Sequence, residues 1–484
     1  MLVRRADEEL LFASVREKNR VLQTSKENGR LRTLASQLAP EKRVIGVPVW
    51  ELFALYRRNL FLNGGAEGGA APPRACFAMC RTTGIGKRAT AIVVGAGPSG
   101  IAAVGALVAR RQRVVWVDPN FTVGALARYK AVPANTKVDV LLPGFVAGFL
   151  PQGLPSAAAE RALTRMQVEA TTLHANPDPC ELGWTTLGSC QELMQTMTAA
   201  LLSEPGVSAC RGRAIGLERQ VDGTWSVQLA GSPGIGVDAR DLRAPSVVLA
   251  PGGAPNPVPP QLRLSAWASG ARRPRVLHLE QALQFERLPT LLGGARTVGV
   301  VGGGHSGVVL SQRLHEHLGR RVLLFVRSPL RLACWDAHAG AYGAWAFRGL
   351  KGAAADYALR HGLVGLTPPG GVVAPGLELH HSSALSTSAA VSADLDAVVF
   401  CLGYTRAPLP LLTHSGGRPL GTIGRHGAPG GALFSLSGEP IRGLFGIGLA
   451  FSDDEYTSGE AYGEVGFFPF AARAAEIAQA VAAK

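Results

Sequence analysis

Two glycine-rich turns of identical spacing constrain the fold of this 484-residue chain more than any other feature. Each turn follows a short apolar run and has the spacing G-x-G-x-x-G. The glycines are Gly95, Gly97 and Gly100 in the first turn and Gly302, Gly304 and Gly307 in the second. The first glycine of such a turn makes the bend, the second lets the backbone approach a pyrophosphate, and the third lets a helix pack on the strand. We therefore expect two dinucleotide-binding units of the α/β class.

The first turn is flanked by the elements that a dinucleotide site requires. The β-branched run at 91–94 predicts a buried parallel strand, and the alanine-rich segment from Ser99 to about residue 111 predicts a helix. Pro98 and Ser99 are expected to line the phosphates at the positive end of that helix. The next strand ends in Asp118, where a carboxylate accepts hydrogen bonds from ribose hydroxyls. A purely structural glycine turn is the alternative.

The second turn repeats this arrangement with a different strand end. A strand at 296–301 and a helix at 306–318 are predicted around it, with His305 and Ser306 lining the pyrophosphate or the nicotinamide edge. The following strand ends in Arg327, at the position that Asp118 is expected to occupy in the first unit. Because a cation accommodates a 2′-phosphate, this unit is expected to prefer NADPH to NADH. The alternatives are that Arg327 is a surface charge and that His305 has no titrating role.

Composition describes a globular, multidomain protein and disfavours a nucleic-acid-binding one. Hydrophobic residues make up 47% and charged residues 17% of the chain, which has a formal net charge of +14. Residues 1–90 contain 16 Lys and Arg against 8 Asp and Glu, so most of the excess precedes the first turn. No basic run alternates with aromatic residues, as a nucleic-acid-binding face would require. Residues 1–88 are interpreted as an extension that could contain a targeting segment.

The cysteine pattern and the hydropathy restrict the chemistry and the location. The seven cysteines include no CxxC pair, which argues against a zinc site and a dithiol reductase. This pattern favours a reducing compartment, which is the cytoplasm, or an organelle if the N-terminal extension is a transit peptide. No stretch of about 18 apolar residues lacks charges, so no transmembrane segment is expected.

Between the two turns, the chain contains further strand signals. Asp222 and Gly223 separate two strand-like runs and predict a hairpin. A buried strand then runs into the glycine-proline turn at 250–253. This order of a hairpin followed by a second buried strand resembles the FAD-binding modules of flavoproteins.

Three further segments resemble known flavoproteins. The segment ARYKAVPANTKVDVL is similar to the Tyr…Thr-Asn…Lys segment of flavin-containing monooxygenases. The segment DLDAVVFCLGYTRAP resembles the D…ATGY motif of these enzymes and of N-hydroxylating ornithine and lysine monooxygenases. The segment RGLFGIGLAF resembles the strand that completes their FAD domain. The residues that carry these resemblances are Tyr129, Asn135 and Lys137 in the first segment, Asp396, Gly403 and Tyr404 in the second, and Gly448 and Leu449 in the third.

The chain also departs from these patterns. Cys401 and Leu402 replace the Ala and Thr of ATGY, and the Phe-x-Gly-x-x-x-His fingerprint of flavin monooxygenases is absent, apart from what resembles a remnant at His278. The whole pattern resembles the superfamily of FAD/NAD(P)-dependent oxidoreductases with two dinucleotide-binding domains, and is most similar to its uncharacterised FAD/NAD(P)-binding proteins.

This resemblance implies an α/β fold of two Rossmann-like three-layer domains, with the NADPH domain inserted into the FAD domain. The expected ranges are 89–295 for the first part of the FAD-binding domain, 296–400 for the NADPH-binding domain, and 401–484 for the closing part of the FAD-binding domain.

The resemblance also implies a reaction with a small-molecule substrate and dioxygen. NADPH would reduce FAD, and the reduced flavin would form a hydroperoxide that oxygenates a nitrogen or sulfur atom of the substrate. Asn135 is the expected polar group at this step, although an asparagine that caps a loop is an equal alternative. Gly403, Gly448 and Leu449 are expected to bind the cofactors, and Tyr404 either lines the interdomain linker or is a packed aromatic residue. A flavin reductase or oxidase, and a non-catalytic protein that binds FAD and NADPH, are the alternative functions.

Overall fold

The computed structural model describes most of the chain after residue 88. The described residues are 89–135, 185–230, 242–258, 274–332, 349–366, 371–387, 394–420, 431–451 and 467–483, with two-residue strands at 43–44, 47–48, 335–336 and 341–342. Lys137 and most of the N-terminal extension lie outside them. The chain divides into two compact units, Met1–Gly64 and Gly65–Lys484. In the first unit Arg43–Val44 pairs antiparallel with Val47–Pro48, and all of the elements below belong to the second.

The second unit contains both strands and helices, with a run of consecutive strands between α2 and α3 in the described residues. The strands are β1 (Ala91–Val94), β2 (Val114–Asp118), β3 (Val207–Arg211), β4 (Arg213–Arg219), β5 (Trp225–Ala230), β6 (Leu242–Ala244), β7 (Ser246–Leu249), β8 (Gly253–Pro255), β9 (Arg275–Leu277), β10 (Thr297–Val301), β11 (Arg321–Val326), β12 (Gly371–Ala374), β13 (Leu377–His381), β14 (Ala397–Phe400), β15 (Tyr404–Arg406), β16 (Leu411–His414), β17 (Ala432–Phe434) and β18 (Pro440–Gly446). The α-helices are α1 (Pro98–Ala109), α2 (Leu187–Leu202), α3 (Leu279–Ala282), α4 (Leu288–Leu292), α5 (His305–Gln312), α6 (Gly352–Arg360), α7 (Ala384–Thr387) and α8 (Phe467–Ala482). No helix in the described ranges has both the length and the apolarity that crossing a membrane requires.

The first sheet has six strands in the order β17-β18-β7-β1-β2-β3, parallel except for the β17–β18 pair. Helix α8 packs against α1. Side chains of β1, β2 and β7 share a buried core with Leu217 and Trp225 of a smaller sheet, which has the order β16-β4-β5-β6. Helices, a parallel sheet and a smaller sheet thus form three layers. The predicted hairpin around Asp222 and Gly223 is confirmed, because β4 pairs antiparallel with β5.

The other six-stranded sheet has the order β9-β14-β10-β11-β13-β12 and is parallel except for the β12–β13 pair. Its core includes side chains of α5 and α6. All of its strands lie in sequence between β7 and β18, which are neighbours in the first sheet. The second α/β domain is therefore inserted into the first, as the sequence predicts. The strand Arg275–Leu277 also belongs to this sheet, although it precedes residue 296.

Two short strands connect the six-stranded sheets. β8 follows β7 of the first sheet, β15 follows β14 of the second, and the two pair antiparallel. Asn256 donates its backbone N–H to Gly403 O at 3.0 Å and its side-chain amide to Leu402 O at 2.9 Å. Gly403 has a φ of +82°, a conformation that favours glycine. The two connecting segments are thus fastened to each other.

Candidate functional site

The first glycine turn is closely packed at its outer glycines and open at its middle one. A Cβ on Gly95 would collide with the carbonyl oxygen of Ala250, and a Cβ on Gly100 would collide with that of Gly95. Gly95 also has a φ of +110°. At Gly97 a Cβ would meet no atom within 4 Å. The turn therefore needs its outer glycines to close, whereas the middle glycine leaves backbone accessible to a ligand.

Helix α1 begins at this opening. Gly97 is its N-cap residue, Pro98 lies in its first turn, and no side chain caps it. Uncapped N–H groups at a helix N-terminus attract phosphate. Ser99 is 5% exposed. A Cβ on Gly448 would collide with the hydroxyl oxygen of Ser99. The segment that follows β18 therefore lies against the first turn.

Leu449 joins the same end of the first sheet. It begins a short 3-10 helix after β18, and a Cβ on Gly253 would collide with its side chain. Gly253 is the first residue of β8, which leads into the connection between the domains. The structure thus brings Gly448 and Leu449 together with the first turn and with the start of that connection.

Asp118 organises the loop that follows β2. Its Oδ2 accepts from Ala96 N at 2.8 Å, and its Oδ1 accepts from Asn120 N at 2.8 Å and from Phe121 N at 2.7 Å. A carboxylate has about four acceptor positions, so these N–H groups use most of its capacity. Asp118 lies at the strand end where the sequence places it, and it also fixes the shape of two neighbouring loops.

The loop after Asp118 reaches back to the middle glycine. Phe121 and Val123 have positive φ values of 54° and 64°, a conformation that costs a bulky residue about 1–3 kcal/mol. Val123 is fully buried. A Cβ on the next residue, Gly124, would lie 3.2 Å from Cα of Gly97. The surrounding contacts thus hold a strained segment against the first turn.

Trp116 is a contact of the first turn that sequence reasoning missed. Its indole Nε1 donates to Gly95 O at 2.9 Å, and the side chain is fully buried. The sequence feature that could have indicated this contact is a single tryptophan within the β-branched run of β2. This hydrogen bond fixes the carbonyl against which Gly100 packs.

The second glycine turn has the same construction. A Cβ on Gly302, whose φ is +126°, would collide with Cys401 O, and one on Gly307 would collide with Gly302 O. At Gly304, the N-cap residue of α5, a Cβ would meet no atom within 4 Å. His305 and Ser306 occupy the first two positions of that helix. The α-helix is shorter than predicted, because a π-helical turn at 313–317 replaces its end.

His305 contacts the start of another helix. Its Nε2 accepts from the backbone N–H of Lys351, the N-cap residue of α6, at 2.9 Å. Burial, together with the charge of Lys351, lowers the pKa of His305 to about 4, so the imidazole is a neutral acceptor at pH 7. Burial also lowers the pKa of Lys351. The histidine therefore joins the second turn to α6.

Strand register corrects the position of Arg327 by one residue. Val94 pairs with Val117 in the first sheet, and Val301 pairs with Phe325 in the second. The residue equivalent to Asp118 is thus the one after Phe325, Val326, which is 1% exposed. Arg327 is the next residue and is exposed. The expected equivalence of Arg327 and Asp118 is wrong by one position, although an arginine still lies at this strand end and residues 326–332 contain no Asp or Glu.

Asp396 has a structural role at the start of β14, far from the Gly403 end of its motif. Its Oδ2 accepts from Arg296 N at 2.8 Å and from Thr297 N at 3.0 Å. Its backbone carbonyl accepts from Arg275 N at 2.9 Å. The residue thus aligns the starts of β9, β10 and β14. At the other end of β14, burial raises the pKa of the Cys401 thiol to about 12.

The residues predicted around Asn135 divide between the core and the surface. Tyr129 is buried in the core of the second sheet, together with Val132. Asn135 is exposed and is the last described residue before 185. His278, the expected remnant of a fingerprint, caps α3 by accepting from Glu280 N at 3.4 Å.

Each of the two glycine turns belongs to its own six-stranded sheet, and Gly403 lies in the connection between the two sheets.

Comparison with known proteins extends over both turns. Residues 89–417 match a family model described as pyridine nucleotide-disulphide oxidoreductase. A monooxygenase from Paecilomyces divaricatus is 29% identical over 412 residues, which cover 79% of this chain and 95% of that protein. A solved flavin-containing monooxygenase from Stenotrophomonas maltophilia is 16% identical, with a TM-score of 0.48, and the match covers 81% of this chain and 98% of that one. The solved L-lysine 6-monooxygenase from Pseudomonas syringae is 14% identical, with a TM-score of 0.45, and the match covers 81% of this chain and 99% of that one.

Proposed function

The chain belongs to the pyridine nucleotide-disulphide oxidoreductase family, and we propose that it is an NADPH-dependent flavin monooxygenase that oxygenates a nitrogen or sulfur atom of a small substrate. Its family and its monooxygenase relative identify a flavin-dependent oxidoreductase that uses FAD and a pyridine nucleotide. The choice of NADPH, the oxygen chemistry and the substrate class are our proposal.

The difference between the two strand ends supports the assignment of the cofactors. β2 ends in Asp118, whereas β11 ends in the buried Val326 followed by Arg327. A carboxylate favours a free ribose hydroxyl, and a cation without a neighbouring carboxylate favours a 2′-phosphate. We therefore assign FAD to the turn at Gly97 and NADPH to the turn at Gly304. This difference is the observation on which the NADPH assignment depends.

Both turns fit a dinucleotide. Each has an open middle glycine at an uncapped helix N-terminus, between outer glycines that admit no side chain. At these positions the backbone N–H groups would hold the pyrophosphates and orient the two cofactors. Bound FAD supplies the acceptor for hydride from NADPH and the centre at which dioxygen is activated.

The thiols of the chain favour oxygen chemistry over disulfide reduction. The sequence contains no CxxC pair. Cys401 borders the second turn, because its carbonyl packs against Gly302, and burial raises the pKa of its thiol to about 12. A protonated, buried thiol is a poor nucleophile for thiol–disulfide exchange. The relative that matches over 95% of its length is named a monooxygenase.

Asn135 is the proposed polar group at the flavin. The preceding segment is fixed, because Ala134 N donates to Thr185 O at 2.7 Å and Tyr129 packs in the core of the second sheet. An amide side chain offers both a donor and an acceptor, which suits a group that hydrogen-bonds to reacting oxygen without itself taking up or releasing a proton. The exposure of Asn135 and the fixed segment before it support this role.

The proposed reaction consumes NADPH, a proton, dioxygen and substrate, and yields NADP⁺, water and the oxygenated substrate. One oxygen atom enters the substrate and the other leaves as water. The test begins with anaerobic reduction of the purified holoenzyme by NADPH and by NADH, followed by flavin absorbance. Oxygen is then admitted with methyl phenyl sulfide or N,N-dimethylaniline as probe substrates, and the sulfoxide, the N-oxide and hydrogen peroxide are measured.

The expected result is faster reduction by NADPH than by NADH, and formation of an oxygenated probe. Stoichiometric peroxide without any oxygenated product would overturn the monooxygenase and favour the oxidase. Equal reduction by both nucleotides would overturn the NADPH assignment. If neither nucleotide reduces the flavin, the whole proposal is contradicted, and the alternative of a non-catalytic protein that binds FAD and NADPH is favoured.

A further inference from the structure

The carboxyl end of β13 lies directly beside that of β11. The two strands are parallel, with Val326 paired with His381, and Ser382 N donates to Val326 O at 2.9 Å. Residues that follow β13 therefore lie next to Arg327, at the edge of the sheet where the second turn opens. Ligands of open α/β sheets bind at this edge.

His381 lies on the face of the sheet that the second turn and its helix cover. Neighbours in register point their side chains to the same face. Val326 belongs to the core that contains Val308 and Val309 of α5. A Cβ on Gly303, inside the second turn, would lie 2.9 Å from a methyl group of Val326. The side chain of His381 is therefore on the α5 side, one strand beyond the position that corresponds to Asp118.

The hydrogen bonds of His381 fix which ring nitrogen has the proton. Nδ1 lies 3.3 Å from the backbone nitrogen of Ser383, which can only donate, so Nδ1 is an acceptor. The hydroxyl of Ser383 is 2.7 Å from the same nitrogen. In the neutral ring, Nε2 therefore bears the hydrogen. His381 can thus donate through Nε2 even when its ring is uncharged.

The neighbouring histidine has different partners. His380 places its Nε2 3.0 Å from Oε2 of Glu378, and its ring stacks on Phe325. A carboxylate oxygen can only accept, so His380 donates to Glu378. Adjacent residues of a strand point to opposite faces. The two histidines are therefore chemically similar side chains in different surroundings, and only His381 is on the side of the second turn.

The two segments that begin with the last residue of β11 and the last residue of β13 contain no acidic residue. Residues 326–332 are VRSPLRL, and residues 381–387 are HSSALST. They contain two arginines, one histidine and five hydroxyl side chains. A phosphate monoester has a charge of about −1.5 to −2 near pH 7 and three acceptor oxygens. Such a group suits this edge, whereas the corresponding strand end in the first sheet has the carboxylate of Asp118.

We propose that His381 is a specificity residue of the second nucleotide site, where its Nε2–H, together with Arg327, binds the 2′-phosphate of the adenosine half of NADPH. This inference rests on the proposed function, because it assumes that the second turn holds the nicotinamide nucleotide. It adds a residue that is remote from Arg327 in sequence. A hydrogen bond from His381 would discriminate between NADPH and NADH and would take no part in hydride transfer.

Two substitutions separate this role from a structural one. In His381→Asn the amide oxygen replaces Nδ1 as the acceptor for Ser383, but the shorter side chain places no donor at the position of Nε2. In His381→Gln the amide nitrogen replaces the donor at that position. His380→Asn is the matched control, because it changes the adjacent histidine and leaves the proposed contact intact.

Calorimetric binding of 2′,5′-ADP and of ADP to the FAD-loaded enzyme measures the contact without turnover. We expect wild type to prefer 2′,5′-ADP and His381→Asn to lose about tenfold in affinity for it, as for a hydrogen bond to a charged group. Affinity for ADP should stay unchanged. His381→Gln should recover most of the loss, and His380→Asn should behave as wild type. The ratio of kcat/KM for NADPH to that for NADH should change in parallel.

Three results would overturn the inference. Equal loss of 2′,5′-ADP and ADP affinity in His381→Asn would show a structural role. An unchanged preference in His381→Asn, with a clear preference in wild type, would refute His381 as a ligand and leave NADPH specificity intact. The absence of any preference for 2′,5′-ADP in wild type would refute both the NADPH assignment and this inference.

Discussion

Arg128 and Glu280 form an ion pair between the two α/β domains, with 2.9 Å between Nη1 and Oε2. Tyr129 OH lies 3.4 Å from the other oxygen of Glu280 and shares a hydrogen bond with Tyr404. We call Arg128, Tyr129, Glu280 and Tyr404 the junction cluster. Burial raises the pKa of both tyrosines, so their hydroxyls stay protonated. The cluster connects the loop at the first turn with the segment that follows β14.

The buried part of the junction cluster should matter more than its exposed part. Tyr129→Phe retains the packed ring and removes the hydroxyl, which should cost about 0.5–1.5 kcal/mol of unfolding free energy. It should also slow flavin reduction by NADPH several-fold, because the hydroxyl joins the two domains to which we assign the cofactors. Arg128 is 49% exposed, so Arg128→Gln should cost less than about 1 kcal/mol, with an effect that falls with salt. Stopped-flow reduction and thermal unfolding check both variants. A larger effect of Arg128→Gln would contradict this ranking.

Alanine should have opposite consequences at two glycines of the first turn. Gly97 has φ −77° and free space around its Cβ position, so Gly97→Ala should fold with little change in stability and lose FAD. Gly100→Ala places a methyl group on the carbonyl of Gly95 and should reduce the yield of folded protein. The FAD-to-protein ratio and the melting temperature distinguish the two outcomes. Gly304→Ala is the control, since it should retain FAD and lose affinity for NADPH. A Gly97→Ala protein with full FAD content would refute the assignment of FAD to this turn.

Asp118 should stabilise the first turn even before FAD binds. In Asp118→Asn an NH₂ group replaces one acceptor oxygen, so one backbone N–H loses its partner, and an unsatisfied, partly buried donor costs about 1–3 kcal/mol. We expect a lower melting temperature of the FAD-free protein and faster FAD loss. Asp222→Asn is the matched control, because Asp222 also accepts a backbone N–H, from Thr224 at 2.9 Å, in an exposed turn. Equal melting shifts in the two variants would argue against this role of Asp118.

His305 should make stability depend on pH below neutrality. Burial lowers its pKa from 6.5 to about 4 in the folded protein. The unfolded chain therefore binds the extra proton first, so stability falls as pH decreases from 6.5 to 4 and is unaffected by this group above 6.5. His305→Gln should flatten the urea-denaturation profile in that window, and an unchanged slope would contradict the burial of a neutral imidazole.

Glu316 should act in a more acidic window than His305. Burial raises the pKa of Glu316, but hydrogen bonds from Arg360, His361 and Gln312 outweigh this effect and hold it at about 2. Its contribution to stability is therefore present above pH 4.5 and is lost as pH falls toward 2. In the His305→Gln protein the loss of stability between pH 4.5 and 2 should remain. Urea denaturation of this variant over the whole pH range therefore separates the contribution of Glu316 from that of His305.

Asn135→Ala should uncouple reduction from oxygenation. Flavin reduction by NADPH should stay unchanged, while hydrogen peroxide rises at the expense of the oxygenated probe, because the amide is proposed to act only once oxygen is present. Asn120→Ala is the matched control, since Asn120 is also an exposed asparagine and is not proposed to contact reacting oxygen. Unchanged coupling of NADPH oxidation to product in Asn135→Ala would assign this residue to the loop alone.

The local parts of the site could be predicted from the sequence. Glycine spacing and β-branched runs depend on neighbouring residues only, so both turns, their strands and the Asp222 hairpin were predicted correctly. The hydrogen bonds of Asn256 to the connection at Gly403 depend on the pairing of segments far apart in sequence. The one-residue offset between Asp118 and Arg327 depends on the register in which β10 pairs with β11, and that pairing joins segments that the two local motifs do not contain. These features required the folded structure.

The buried indole of Trp116 gives the first turn an internal optical reporter. Because its Nε1 donates to Gly95 O at 2.9 Å, the ring is immobilised beside the first glycine of that turn. Emission from such a shielded indole lies toward the blue, and an isoalloxazine chromophore in the same domain can quench it by energy transfer. Flavin bound in this domain is therefore expected to lower the emission of Trp116, one of the seven tryptophans of the chain, with no label and no substrate.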